Sequence, residues 1–350
     1  MVLQLFLFER LGISFHFTVF IAIALIWFYT FRGGIKTVVW TDTLQTAFML
    51  IAVGVTLVMI MSEMSLSVGE AFDLIKASEL SNTFVWDNSP QNFFKQFLSG
   101  TFIAIVMTGL DQDMMQKNLT CRNIGEAQKN MYWFSGTLVV VNLLFLSLGA
   151  LLYLYAEQMG LSLPLNDAGR VDGDQVYPTI VKDHLGLAAG IFFLLGIVAA
   201  AYSSADSALT SLPTSFCVDF LDFAKIGTGE ARKRMRRIQV HLAFSVLLFL
   251  VIVVFSLIKS DSVINAVFRA AGYTYGPLLG LYAFGLFTRL GVKDKLVPLV
   301  CSLSPVLCYL MDFFSEELFN GYTFGFELLI INGAISFLGL TIISRKRARG

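Results

Sequence analysis

Two carboxylates fall where hydrocarbon is expected. Asp206 sits in Ala200-Ala201-Tyr202-Ser203-Ser204-Ala205-Asp206-Ser207-Ala208-Leu209-Thr210-Ser211, within an apolar run that begins near Leu185 and is long enough to cross a bilayer. Asp42 sits in Val38-Val39-Trp40-Thr41-Asp42-Thr43-Leu44-Gln45-Thr46. An ionisable group at membrane depth costs roughly 2.5–3.5 kcal/mol on insertion scales, so it persists where it has a task. Around Asp206, the residues Ala200, Ser203, Ser204, Ser207, Thr210, Ser211 and Thr214 recur every three or four positions and form one polar stripe on a helix. Small and hydroxylated residues also serve helix packing, but packing does not require a carboxylate. Oxygen ligands, several of them neutral, suit a hard cation of low charge better than zinc or copper. Gln45 and Thr46 share the face of Asp42. That acid either sits hydrated at the membrane boundary or faces the Asp206 helix. Two facing acids repel, so a sodium ion or a proton is the expected third party.

Other candidates are weaker. Arg269 lies one or two turns from the outer end of its span. It either snorkels and pairs with a nearby acid, or anchors an anionic or hydroxylated solute, since a guanidinium matches carboxylate geometry. The span over 91–113 ends in Gly109-Leu110-Asp111-Gln112-Asp113 and is expected to be interrupted at Ser99-Gly100-Thr101. Transporter helices break at such places and offer backbone groups to a ligand. His16, His184 and His241 share no ligand spacing. The four cysteines, Cys121, Cys217, Cys301 and Cys308, show neither metal nor pairing pattern and read as free thiols. There is no H-E-x-x-H motif and no Ser/His or paired-acid arrangement in adjacent spans, which argues against an enzyme.

The elements that position these residues follow from composition. The chain is 56% hydrophobic and 14% charged, with a mean hydropathy of +0.72. Several apolar runs reach the ~20 residues that a helical crossing needs. Nine spans are expected, over 13–31, 37–62, 91–113, 131–156, 185–220, 238–258, 262–288, 296–312 and 324–343. Eighteen Lys and Arg fall on one set of loops, including Arg32/Lys36, the 232–237 cluster and the C-terminal tail, against six on the other set. The positive-inside rule places the first set and the C-terminus in the cytoplasm. The sequon Asn118-Leu119-Thr120 then lies on a cytoplasmic loop. Nine spans with that C-terminus put the N-terminus outside, and the apolar Met1–Phe8 reads as the tail of a further span. No soluble domain is visible, so residues 1–350 read as one membrane domain.

Three segments resemble the sodium/solute symporter family, which includes the sodium/glucose, proline, sialic acid and iodide/vitamin carriers. Gly33-Gly34-Ile35-Lys36-Thr37 through Thr46 is similar to the family's fifth core helix. Gly109-Leu110-Asp111-Gln112 through Gln116, with Glu126-Ala127-Gln128-Lys129, is similar to the end of the sixth and the loop after it. Ala199–Asp219 is similar to the eighth. The resemblance implies an all-α polytopic membrane protein with a partial LeuT-like inverted-repeat fold, in which the nine spans are core helices 4–10 plus two C-terminal helices and core helices 1–3 are lacking. It implies that Ala200, Ser203 and Ser204 form the eighth-helix half of a sodium site. Asp42, Asp206 and Ser207 fall at a second sodium site found in some members, and Asp206 departs from the small or hydroxyl residue expected there. The positions that read sugar in the glucose carriers fall on Ala104, Met107, Leu138 and Arg269. This departs from the sugar pattern and, through Arg269, favours an organic anion.

The expected function is therefore sodium-coupled symport of a small polar solute across the plasma membrane by alternating access. Sodium is the coupling ion, and there is no further cofactor. The partners are the solute, sodium and the lipid bilayer, with neither nucleic acid nor an obligate protein partner. The alternatives are an inactive truncated fragment and a transporter-like sensor domain.

Overall fold

The protein is described by a computed structural model covering residues 12–87, 89, 91–166, 169–223, 229–257 and 263–346. Its helices are α1 (Phe15–Glu63), α2 (Val68–Ala77), α3 (Phe93–Gly109), α4 (Gln112–Asn118), α5 (Ile124–Gln158), α6 (Gly173–Asp183), α7 (Gly186–Ser215), α8 (Glu230–Leu257), α9 (Val263–Phe287), α10 (Val297–Phe313), α11 (Ser315–Leu318) and α12 (Leu328–Ile342). Strands β1 (Leu290–Val292) and β2 (Ser344–Lys346) pair antiparallel, with Gly291 opposite Arg345. Met1–Phe8, read above as a span tail, lies outside the described residues.

The long apolar runs became helices, and several starts are set by local chemistry. Asn92 accepts from the backbone N–H groups of Phe94 and Lys95 at the start of α3. Asn123 accepts from that of Glu126 at the start of α5. Ser67 and Glu70 close a reciprocal capping box on α2. Among the described residues, five helices are long and apolar enough to cross a membrane, or six if α3 and α4 are one span. Phe15–Thr30 and Leu328–Ile342 are apolar but shorter. The nine expected spans are therefore not all matched by a helix of full crossing length.

Four expectations need correction. The cytoplasmic loop expected at Arg32–Lys36 is helical backbone inside α1. Glycine weakens a helix without forbidding it, and no proline interrupts this stretch. Nevertheless Tyr29 and Thr41 both donate to the same oxygen of Asp206, at 2.7 and 3.3 Å. On a straight helix twelve residues span ~18 Å, more than the two side chains bridge. The backbone must therefore turn between them, so one helical element carries two runs. The interruption expected at Ser99-Gly100-Thr101 is absent: α3 runs through it, and Thr101 returns its hydroxyl to the Phe97 carbonyl at 2.8 Å. The break falls later, at Leu110–Asp111. The Arg232–Arg237 cluster lies in the first turns of α8, not on a loop. Finally, the small β1–β2 pair was not expected of an all-α chain.

Two compact units emerge. The first comprises Met1–Ser81 with Gln112–Asp261, the second Asn82–Asp111 with Ser262–Gly350. In the first unit α7 packs along α1. One end of this pairing is filled by Val53, Ile60, Leu152, Ile180, Ala189 and Phe193, the other by Val19, Ile23, Ile26 and Leu209. Lipid is as apolar as these side chains, so close fit rather than water exclusion holds such helices together. Gly196 shows how close: a Cβ there would lie 2.6 Å from the Ala52 Cβ.

In the second unit α9 and α12 meet through Gly276, Gly280 and Gly333, where an added Cβ would overlap the opposing helix. Pro277 lies inside α9 and has no N–H, so the Tyr273 carbonyl loses its helical donor. Asn332, fully buried on α12, replaces it. Its Nδ2 donates to the Tyr273 carbonyl at 2.8 Å and to the Gly272 carbonyl at 3.0 Å. Ser304 of α10 in turn donates to Asn332 Oδ1 at 2.5 Å. This neutral bracket ties three helices.

Candidate cation site

The polar stripe of α7 faces α1 and α4 within the first unit. Asp42 is 17% exposed and takes hydrogen bonds from α7 on both oxygens. Ser203 donates to Oδ1 at 2.6 Å, and Ser207 donates to Oδ2 at 3.5 Å. Lys117 of α4 completes the cluster. Its ammonium lies 2.6 Å from Asp42 Oδ2, 2.6 Å from Asp113 Oδ2 and 3.1 Å from Ser207 Oγ. Gln116 holds α4 in place by donating to the Ser211 carbonyl at 3.0 Å.

Asp206, one turn further along the stripe from Ser203, is fully buried and belongs to a second set of bonds. Its Oδ2 accepts from Tyr29 and Thr41. Its Oδ1 is buried without a hydrogen bond among the described residues. A buried carboxylate in this state is unusual, because each unmade bond to a charged group is expensive. Ala200 is half-buried and lines an apolar cavity of about 250 Å³ with Met49, Phe145, Tyr177 and Phe193, while Ser204 is exposed. The structure thus brings Asp42, Ser203 and Ser207 together, with Asp206 beside them on α7.

The residues carried over from the sugar pattern have other surroundings. Leu138 is exposed on α5 of the first unit. Ala104 is exposed and Met107 half-buried on α3 of the second. Arg269 lies 3.8 Å from Asp312, which also accepts from the Tyr273 hydroxyl at 2.5 Å. The arginine is therefore ion-paired, one of the two readings open from sequence. The residues that sequence reasoning missed are Lys117, Asp113, Tyr29 and Thr41. Asp113 and Lys117 stand four apart, the spacing of a helical ion pair, which was the available signal.

Carboxylates and hydroxyls gathered where α7 meets α1 and α4, within otherwise apolar helices, are the kind of polar site that membrane transporters build between spans. The chain belongs to the sodium:solute symporter family, whose model matches residues 4–291. It is 26% identical over 285 residues to the sodium/sialic acid symporter NanT of Aliivibrio fischeri, covering 80% of this chain and 55% of that one. It is 21% identical over 284 residues to the sodium/sialic acid symporter SiaT of Proteus mirabilis, covering 80% and 56%. It is 25% identical over 286 residues to the zebrafish sodium-coupled monocarboxylate transporter 2, covering 79% and 44%. The chain thus spans about half the length of the curated relatives it matches. In fold it superposes on a Na+-coupled sialic acid symporter, solved substrate-bound and outward-open, with a TM-score of 0.78 at 17% identity, over 99% of this chain and 71% of that one. The fold is therefore the LeuT-like one expected.

Proposed function

We propose that this chain is part of a symporter that moves a small organic anion together with sodium across the plasma membrane by alternating access, its C-terminus in the cytoplasm. The single observation that carries the reading is the stripe of α7, which presents oxygen ligands to Asp42 within an otherwise apolar bundle. In this reading residues 1–350 belong to one transporter domain. Ala200, Ser203 and Ser204 supply half of a sodium site, through a backbone carbonyl and hydroxyls. Asp42, Asp206 and Ser207 form a second cation set. By resemblance, Ala104, Met107, Leu138 and Arg269 fall at positions assigned to the solute. The preference for an anion rests on two supports. Arg269 provides a guanidinium whose present partner is a carboxylate, and the relatives are named for sialic acid and monocarboxylates.

The test is uptake into proteoliposomes containing the complete protein, with labelled sialic acid and short monocarboxylates as probes. Accumulation driven by an inward sodium gradient, and lost when potassium replaces sodium, is expected. Equal uptake in the two salts would contradict the reading.

A further inference from the structure

The resemblance anticipates a cation at Asp42, and the structure supplies one from its own chain. An ammonium has three donors and no acceptor. All three donors of Lys117 have partners: Asp42, Asp113 and Ser207. The Asp42 and Ser207 oxygens it touches belong to the residues that the family resemblance assigns to a second ion. Two like charges on one carboxylate oxygen repel strongly away from bulk water, so a sodium ion and Lys117 cannot share them. A tethered cation also competes at a high effective concentration. Asp113, four residues earlier on α4, holds the other side of the ammonium at 2.6 Å and fixes it in place.

We propose that Lys117 is the resident cation of the Asp42 site, standing where a second sodium ion would bind. Coupling is then to one sodium, at Ala200, Ser203 and Ser204. Lys117 thus sets ion stoichiometry. The inference rests on the symporter reading above, and its test separates the two.

The measurement is equilibrium binding of radioactive sodium to the complete purified protein. The native protein is expected to show a single saturable class of sodium site. Lys117→Gln keeps much of the side chain's length but removes the charge, and is expected to add a second class. Asp42→Asn in that background is expected to remove the second class again. Two classes in the native protein, or a Hill coefficient of about two, would overturn the proposal while leaving sodium symport intact. So would a folded Lys117→Gln variant with no added site. If that variant does not fold, the native stoichiometry decides alone. A native protein that binds no sodium would overturn both readings.

Discussion

Among the described residues, the polar clusters around Asn332 and around Asp42 are built on opposite plans. The bracket of the second unit is neutral. Asn332 gives both N–H bonds to carbonyls and receives one from Ser304, so donors and acceptors balance. The cluster of the first unit is charged: Asp42, Asp113 and Lys117 meet in one network, and Asp206 lies beside it with an oxygen left unbonded. A satisfied neutral network rigidifies a bundle. An unsatisfied ionic one costs stability and is kept for another purpose. The comparison separates a polar group that closes a backbone defect from charged groups that no backbone defect calls for.

The sharpest way to break this contrast is Asn332→Leu. It strips the donor from the Tyr273 carbonyl, which Pro277 leaves without a helical N–H, and removes a second bond from the Gly272 carbonyl; a buried unpaired group costs about 1–3 kcal/mol. We expect a drop on the order of 3 kcal/mol in stability, read as a lower thermal midpoint in detergent. Adding Pro277→Ala to that variant returns the missing N–H to the Tyr273 carbonyl and should recover part of the loss. No recovery would refute the proline-repair account. Gly276→Ala comes next: its Cβ would overlap Asn332, an overpacking worth about 1–3 kcal/mol, measurable in the same melt. Tyr29→Phe is expected to cost less, about 1 kcal/mol, since Thr41 still donates to Asp206. A Tyr29→Phe loss as large as that of Asn332→Leu would erase the distinction between the clusters.

The smallest effect lies outside both. Glu70 accepts from the Ser67 hydroxyl and from its backbone N–H, which hold its carboxyl below the usual carboxylate range. Because the folded-state value is lowered, this contribution is present at neutral pH. It is lost as pH falls through the range where an ordinary Glu and then Glu70 protonate. Ser67→Ala should therefore lower the midpoint by less than about 2 °C at pH 7, and by progressively less on acidification. A difference that grew on acidification would contradict the capping box.

Much of this was readable from sequence. Asp42 and Asp206 stood out because charge is rare in apolar runs, and the three- and four-residue recurrence put Ser203 and Ser207 on the face of α7 that meets Asp42. The long helices α5, α7 and α8 were legible from apolar length. Lys117 was not, because it counts equally well as a topology charge. Its meeting with Asp42 joins residues 75 positions apart, which no local pattern encodes. Pro277 announces an orphan carbonyl at Tyr273, yet nothing in the chain says that Asn332 will answer it. The interruption expected at 99–101 failed because Gly and Ser lower helix propensity by an amount that packing readily overrides.

The most direct test of the account is the thermal midpoint of the complete protein in sodium against potassium, with native, Ser204→Ala and Asn332→Leu proteins side by side. A ligand that binds only the folded state raises the midpoint, so the native protein should gain stability in sodium. Ser204→Ala should keep the potassium midpoint and lose the sodium gain. Asn332→Leu should fall in both salts and keep the gain. A full sodium gain in Ser204→Ala, or one abolished by Asn332→Leu, would contradict the assignment of ion binding to the stripe and of stability to the bracket.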